Sequence, residues 1–229
     1  MPFVPQAAPA VALALLAAAA IAGGGAVLFV GLLLADRPQA ALRVVRGVVV
    51  AGVLYVAGLG WASVSSSERV LEPGTYKYFC ELDCHFAVTL VDVEWVDGLG
   101  GGGGRVEAEG RFAVVRVRAW FDESTVTNRR ARGMPLYTAP RRVRMAEASG
   151  RSWPVSVAGQ RALGEPLDAL DRPMKLGESY EARYVFDVPA DAGELRLLVE
   201  DRSLVSRFMI GHENSPFHAK IGFRVGVST

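Results

Sequence analysis

Both cysteines and all three histidines of the 229-residue chain fall in two short segments, Phe79-Cys80-Glu81-Leu82-Asp83-Cys84-His85 and Gly211-His212-Glu213-Asn214-Ser215-Pro216-Phe217-His218. Thiolate sulfur and neutral imidazole are the usual donors to copper and zinc, so Cys80, Cys84, His85, His212 and His218 form a candidate metal set. The default reading is simpler. It is a Cys80–Cys84 disulfide stapling a tight turn, with the histidines as surface or hydrogen-bonding groups. An extended four-residue separation would hold the sulfurs too far apart, so either reading requires Glu81, Leu82 and Asp83 to form a turn.

Hydrolytic chemistry finds less support. His212-Glu213 would need a second histidine at position 216 for the zinc-protease helix motif, and Pro216 stands there and opposes a helix. Ser215 has no G-x-S-x-G frame around it. Gly98 to Gly104 formally contains the dinucleotide fingerprint, but no helix pattern follows it, and a flexible hairpin tip is the expected structure.

Cys80-x-x-x-Cys84 resembles the start of the dinuclear copper motif of cytochrome oxidase subunit two. It departs from that family in having Leu82 where a glutamate lies and in placing His85 directly after the second cysteine. Cys80-x-x-x-Cys84-His85 also resembles a c-type haem attachment motif enlarged by one residue, which implies His85 as proximal ligand and His212 or His218 opposite. Copper or haem is therefore the alternative to an absence of cofactor.

Charge is the other asymmetry. Arg129, Arg130, Arg132, Arg141, Arg142, Arg144 and Arg151 occur with only Glu147 between them, whereas the stretch from Glu165 to Glu200 is acid-rich. Solvated strand faces are the plain reading. The functional reading makes Arg129, Arg130, Arg132, Arg141, Arg142 and Arg144 a docking patch for acidic protein or lipid headgroups. With 25 basic and 24 acidic side chains overall, nothing in the balance points to nucleic acid.

These residues must be positioned by two kinds of element. From Ala10 to Leu34 no ionisable side chain occurs, and such a helix exceeds the roughly 30 Å of hydrocarbon in a bilayer. A second charge-free run, Gly47 to Val64, would cover about 27 Å. The expected transmembrane helices are thus 10–34 and 47–64, closely packed as a hairpin with Gly23, Gly24 and Gly25 letting a neighbour approach. A cleaved signal peptide is the weaker reading, since no basic n-region precedes the apolar run. Arg37, Arg43 and Arg46 in the connector place it in the cytoplasm by the positive-inside rule. Both termini then lie on the extracytoplasmic side, with Trp61 near the outer interface.

Residues 65–74 read as a polar tether, and residues 75–229 as one extracytoplasmic domain. Short alternating runs bounded by Gly, Pro, Asp and Asn predict eight strands, at Thr75–Cys80, His85–Val96, Arg111–Phe121, Arg142–Glu147, Ser152–Val157, Glu178–Val188, Glu194–Glu200 and Phe217–Val225. In the clearest, Ala113, Val115, Val117, Ala119 and Phe121 share one face, and Arg116 and Arg118 the other. Ala148 to Arg151 and Pro189 to Gly193 are expected turns, and Ala158 to Gly177 a crossing segment with one helical turn. This pattern predicts an all-β antiparallel immunoglobulin-like sandwich behind the two transmembrane helices, with a small β-barrel as the alternative.

The segments FCELDCHFAV, RFAVVRVRAWFDE and IGHENSPFHAK, taken with the preceding anchor, resemble bacterial membrane-anchored proteins of unassigned activity whose exterior part is immunoglobulin-like. The resemblance spans roughly residues 70 to 226 and implies a fold and a location only. The expected function is non-enzymatic. The chain would be an accessory subunit in the bacterial inner membrane whose partners are the lipid bilayer and other membrane-protein subunits, with respiratory or photosynthetic electron-transport complexes as natural hosts. A metal- or haem-binding electron-transfer or metal-delivery protein is the alternative, and an exposed sensor or adhesion module the third.

Overall fold

The structure is a computed structural model that describes residues 8–79, 86–101, 104–125, 135–138 and 140–226. It divides into two compact units. One is helical and takes in residues 7–67 and 204–219, and the other is built from strands and takes in 68–203 and 220–229.

In the helical unit α1 (Ala8–Leu34) and α2 (Pro38–Val64) form an antiparallel hairpin, turned at Asp36 in a left-handed conformation (φ 58°). Each is 27 residues long, about 40 Å of helix, and each is apolar enough by length and composition to cross a membrane. α2 begins nine residues earlier than its charge-free run suggests. Pro38 fits the first helical turn and no breaker follows it, so Arg43 and Arg46 lie on the helix rather than in the connector, which shrinks to residues 35–37. Of the three consecutive glycines, Gly25 is the one at the contact: a Cβ there would collide with the Val48 side chain, while Gly23 and Gly24 face open space.

The strand unit is a sandwich of two sheets. The four-stranded sheet has the order β2 (Lys77–Phe79), β3 (Phe86–Gly101), β4 (Gly104–Phe121) and β7 (Ser179–Val188). The five-stranded sheet has the order β1 (Arg69–Leu71), β9 (Ile221–Val225), β8 (Leu195–Asp201), β5 (Arg141–Glu147) and β6 (Ser152–Pro154). All pairs are antiparallel except β1 with β9. Two separate sheets, rather than one closed one, rule out the small barrel.

One core joins the sheets. Ala113, Val115, Val117, Ala119 and Phe121 all point inward from β4, as their alternation predicts, and meet Val143, Met145, Leu197, Val199 and Phe223 from the other sheet. Arg116 and Arg118 lie on the opposite face, paired with Asp92 and Glu181.

All eight expected strands form among the described residues, with shifted ends. β3 and β4 run on to a Gly101–Gly104 pairing past a bulge at Val96/Gly98, so the glycine run is a hairpin tip. β9 starts at Ile221 rather than Phe217, because Phe217 has φ 64° and cannot continue a strand. The stretch expected as a bare tether contains β1, whose polar Arg69 hid the strand. Leu204–Ala219, expected inside the β domain, belongs to the helical unit.

The crossing segment carries α3 (Val157–Leu163), capped by the Ser156 hydroxyl at its start and by Gly164 in the left-handed region at its end. Gln160 is buried beside β7: its amide nitrogen donates to the Arg183 and Pro166 carbonyls, and its oxygen accepts from the Val185 amide. That satisfies all the polar atoms of the side chain, which is why a glutamine can sit there.

Candidate functional site

Phe79 and Phe86 are register partners at the end of the β2–β3 pair, with ring centroids 5.7 Å apart. Residues 80–85 connect them, so Cys80, Cys84 and His85 lie outside the described residues, and the disulfide and metal readings fall there. The two phenylalanines are the described edge of this site.

Beneath them two cations are buried. Lys77, on the same face of β2 as Phe79, donates from Nζ to the Val199 carbonyl at 2.8 Å and the Ile221 carbonyl at 3.2 Å. Its ammonium lies 5.0 Å from the Phe79 ring centre. It thereby ties β2 of one sheet to β8 and β9 of the other. Arg141 enters from β5, its guanidinium 4.3 Å from the Phe79 ring centre and 5.1 Å from that of Phe86. It pairs with Asp201 at 3.3 Å, and the two side chains are 4% and 1% exposed. A buried cation is tolerated where carbonyls, a carboxylate and aromatic faces replace water, and all three are present.

The same end of the sandwich holds Tyr78, whose hydroxyl donates to Asp122 Oδ2 at 2.6 Å, while Asp122 Oδ1 accepts from the Ser124 amide and hydroxyl. Burial, and then that carboxylate, push the Tyr78 phenol well above its usual value. These groups are committed to partners within the protein: Lys77 and Arg141 link the two sheets, and Tyr78 with Asp122 holds β2 to the end of β4.

Arg141 is thus no docking residue. Its burial follows from its register on β5, where Arg141, Val143 and Met145 point inward and Arg142 and Arg144 outward. Beginning the expected strand at Arg142 hid this. Arg144 is held by Glu200 at 2.8 Å, and Lys220 approaches the same carboxylate at 3.0 Å. Burial opposes ionisation of Glu200, but the Arg144 hydrogen bond and the Lys220 charge outweigh it and hold the carboxyl below its usual value. Arg142 is exposed, and Arg129, Arg130 and Arg132 lie outside the described residues. Arg151 closes the β5–β6 turn on Glu147 and reaches Asp191. The arginine-rich stretch is therefore neutralised by carboxylates at most of its described positions.

His212 and His218 both lie in the turn-rich part of Leu204–Ala219. His212 accepts from the Asn214 amide through Nδ1, and His218 Nδ1 lies 2.7 Å from the Ala219 carbonyl. Among the described residues no group of three or more His, Cys, Asp or Glu side chains is placed to hold a metal. A groove of about 350 Å³ lined by Glu165, Asp168, Asp171, Arg172, Tyr180 and Glu181 is also tied up internally. Glu165 pairs with Arg183, Glu181 with Arg118, and the Arg172 guanidinium stacks on the Tyr180 ring.

The sequence matches no family profile and no curated protein. Four solved structures align with it. One is an uncharacterized β-sandwich protein from Clostridium difficile, 9% identical, aligned over 71% of this chain and 97% of its own, with a TM-score of 0.41. Another is the yjhA protein from Bacillus subtilis, 10% identical, over 68% and 98%, at 0.39. A secreted protein from Mycobacterium tuberculosis is 12% identical, over 71% and 99%, at 0.38. Scores this low carry no argument about this chain, and the sandwich stands on its own two sheets and their shared core.

Proposed function

We propose that the chain is a membrane-anchored, non-enzymatic accessory subunit. In this reading α1 and α2 cross the bacterial inner membrane as a hairpin, and the strand unit works on the extracytoplasmic side by docking to a larger membrane complex. The observation that carries the anchor is the exposure of large apolar side chains along the face of each helix that points away from the other. Leu13, Leu16, Ile21, Val27 and Leu28 on α1 and Val49, Val50, Val53, Leu54 and Val56 on α2 are all exposed. A long helix whose outward face is apolar belongs in lipid or against other apolar helices.

Orientation is supported by Arg37, Arg43 and Arg46 at the connector end, which the positive-inside rule assigns to the cytoplasm. Docking is supported by Gly24, Gly31 and Gly52, whose faces are open to another helix. The immunoglobulin-like form is supported by the order β9-β8-β5-β6, which matches strands G, F, C and C′ of that fold, with β4 beside β7 as B beside E.

Three measurements on the native host test it. Carbonate washing should leave the chain in the membrane fraction, protease added to spheroplasts should degrade the strand unit, and native electrophoresis in mild detergent should show a complex far larger than 24.5 kDa. Release by carbonate or protection from protease would overturn the anchor or its orientation, and migration as a monomer would overturn the subunit role.

A further inference from the structure

Leu204–Ala219 leaves the strand unit after β8, returns to it before β9, and packs between those points along the last three turns of α2. Its contacts with α2 climb in step. The Tyr55 hydroxyl donates to the Phe208 carbonyl, Gly58 faces the Ile210 side chain, and the Ser66 hydroxyl accepts from the Ala219 amide. Tyr55 lies nine residues before the end of α2, about 14 Å down the helix axis. The segment therefore accompanies a membrane helix well below its outer end.

Three properties of the segment fit that place. Most of its large outward side chains are apolar: Leu204, Val205, Phe208 and Phe217 are exposed, with Arg207 the charged exception, and Trp61 and Val64 near the end of α2 are exposed too. Part of its backbone is paired within the segment, which lowers the cost of an apolar setting. Arg207, Met209, His212, Ser215 and His218 donate to the carbonyls three residues back, and the Ser215 hydroxyl donates to the Met209 carbonyl. Finally Phe217 is 88% exposed in the left-handed region at φ 64°, a strained conformation for an aromatic residue that turns its ring away from the protein.

We infer that Leu204–Ala219 is a re-entrant interfacial segment: Leu204, Val205, Phe208 and Phe217 insert into the outer leaflet beside α2, and the occupant of this apolar surface is the lipid acyl chain. This rests on the proposed membrane anchoring. A segment of this kind gives the strand unit a second attachment to the bilayer through both β8 and β9, beyond the single link from α2 to β1. Arg207, exposed in the same turn, has the length to carry its guanidinium outward to the headgroup phosphates.

The test uses the full chain in phosphatidylcholine nanodiscs with and without bromine on the acyl chains. Trp is placed by Phe208→Trp, Phe217→Trp, Val30→Trp within α1, and Tyr137→Trp in the strand unit. Each is read as the difference from the unsubstituted protein, which has four tryptophans. The added fluorescence at positions 208, 217 and 30 should fall about twofold on bromination, and that at 137 should not change. If position 30 is quenched while 208 and 217 behave like 137, the inference is overturned and the anchor stands. If position 30 is not quenched, both fall. Hydroxyl-radical footprinting of the unsubstituted protein in the same nanodiscs covers the case of misfolded variants. Phe208 and Phe217 should be protected while exposed Tyr137 is oxidised, and oxidation of all three overturns the inference.

Discussion

Tyr55 and Phe208 stand 153 residues apart, yet the Tyr55 hydroxyl donates a hydrogen bond to the Phe208 carbonyl. The contact holds a turn of the Leu204–Ala219 segment against α2. Other hydrogen bonds hold the segment together within itself and to Ser66, so removal of this one should act locally. Tyr55→Phe keeps the ring and deletes the donor, at a cost of about 1 kcal/mol. Amide hydrogen exchange in residues 204–219 should rise about fivefold, with exchange in β4 and β7 unchanged. Equal acceleration in both regions would show that the bond contributes to global stability instead.

The second prediction concerns Arg141 and Asp201. Removing one member of a buried pair strands the other, so Arg141→Met should lower unfolding free energy by about 3 kcal/mol. Asp201 also accepts from the Ser203 amide, so Asp201→Asn should cost less. The double substitution should be milder than the sum of the two, as urea titrations followed by tryptophan fluorescence would show. Strict additivity would mean that the two groups do not interact.

Glu200 makes stability depend on pH. Its folded value is depressed below 4.5, so its contribution is fully present above the ordinary carboxylate range and is lost as pH falls through the folded value. Glu147 behaves likewise, pulled down to about 2 by hydrogen bonds from Arg151, Ser149 and the Gly193 amide. Wild type should therefore lose more stability than Glu200→Gln between about pH 5 and about pH 3, and parallel curves would refute the assignment.

Neighbouring glycines in α1 should respond oppositely to the same substitution. Gly25→Ala drives a methyl group into Val48 and should cost about 2 kcal/mol by separating the helices. Gly24→Ala meets nothing and should stabilise the helix by roughly 0.5–1 kcal/mol. Melting temperatures in one detergent would resolve the two, and matching shifts would place the helix contact elsewhere.

What the sequence by itself determined is what local pattern controls. Charge-free runs foretold two long apolar helices, because solvent preference accumulates residue by residue along a helix. Strict alternation foretold the inward face of β4 from Ala113 to Phe121, because successive strand residues point to opposite sides. The inward Arg141 was missed, because it lies one residue before the position where the strand was expected to begin. Tertiary structure alone decided which remote groups meet. Lys77 is stable in the interior only because the Val199 and Ile221 carbonyls arrive from the other sheet. Leu204–Ala219 joins the helices rather than the strands because Tyr55 and Ser66 offer partners that no local spacing announces. Burial of a polar group depends on partners far away in the chain, and the periodicity of a segment carries no record of them.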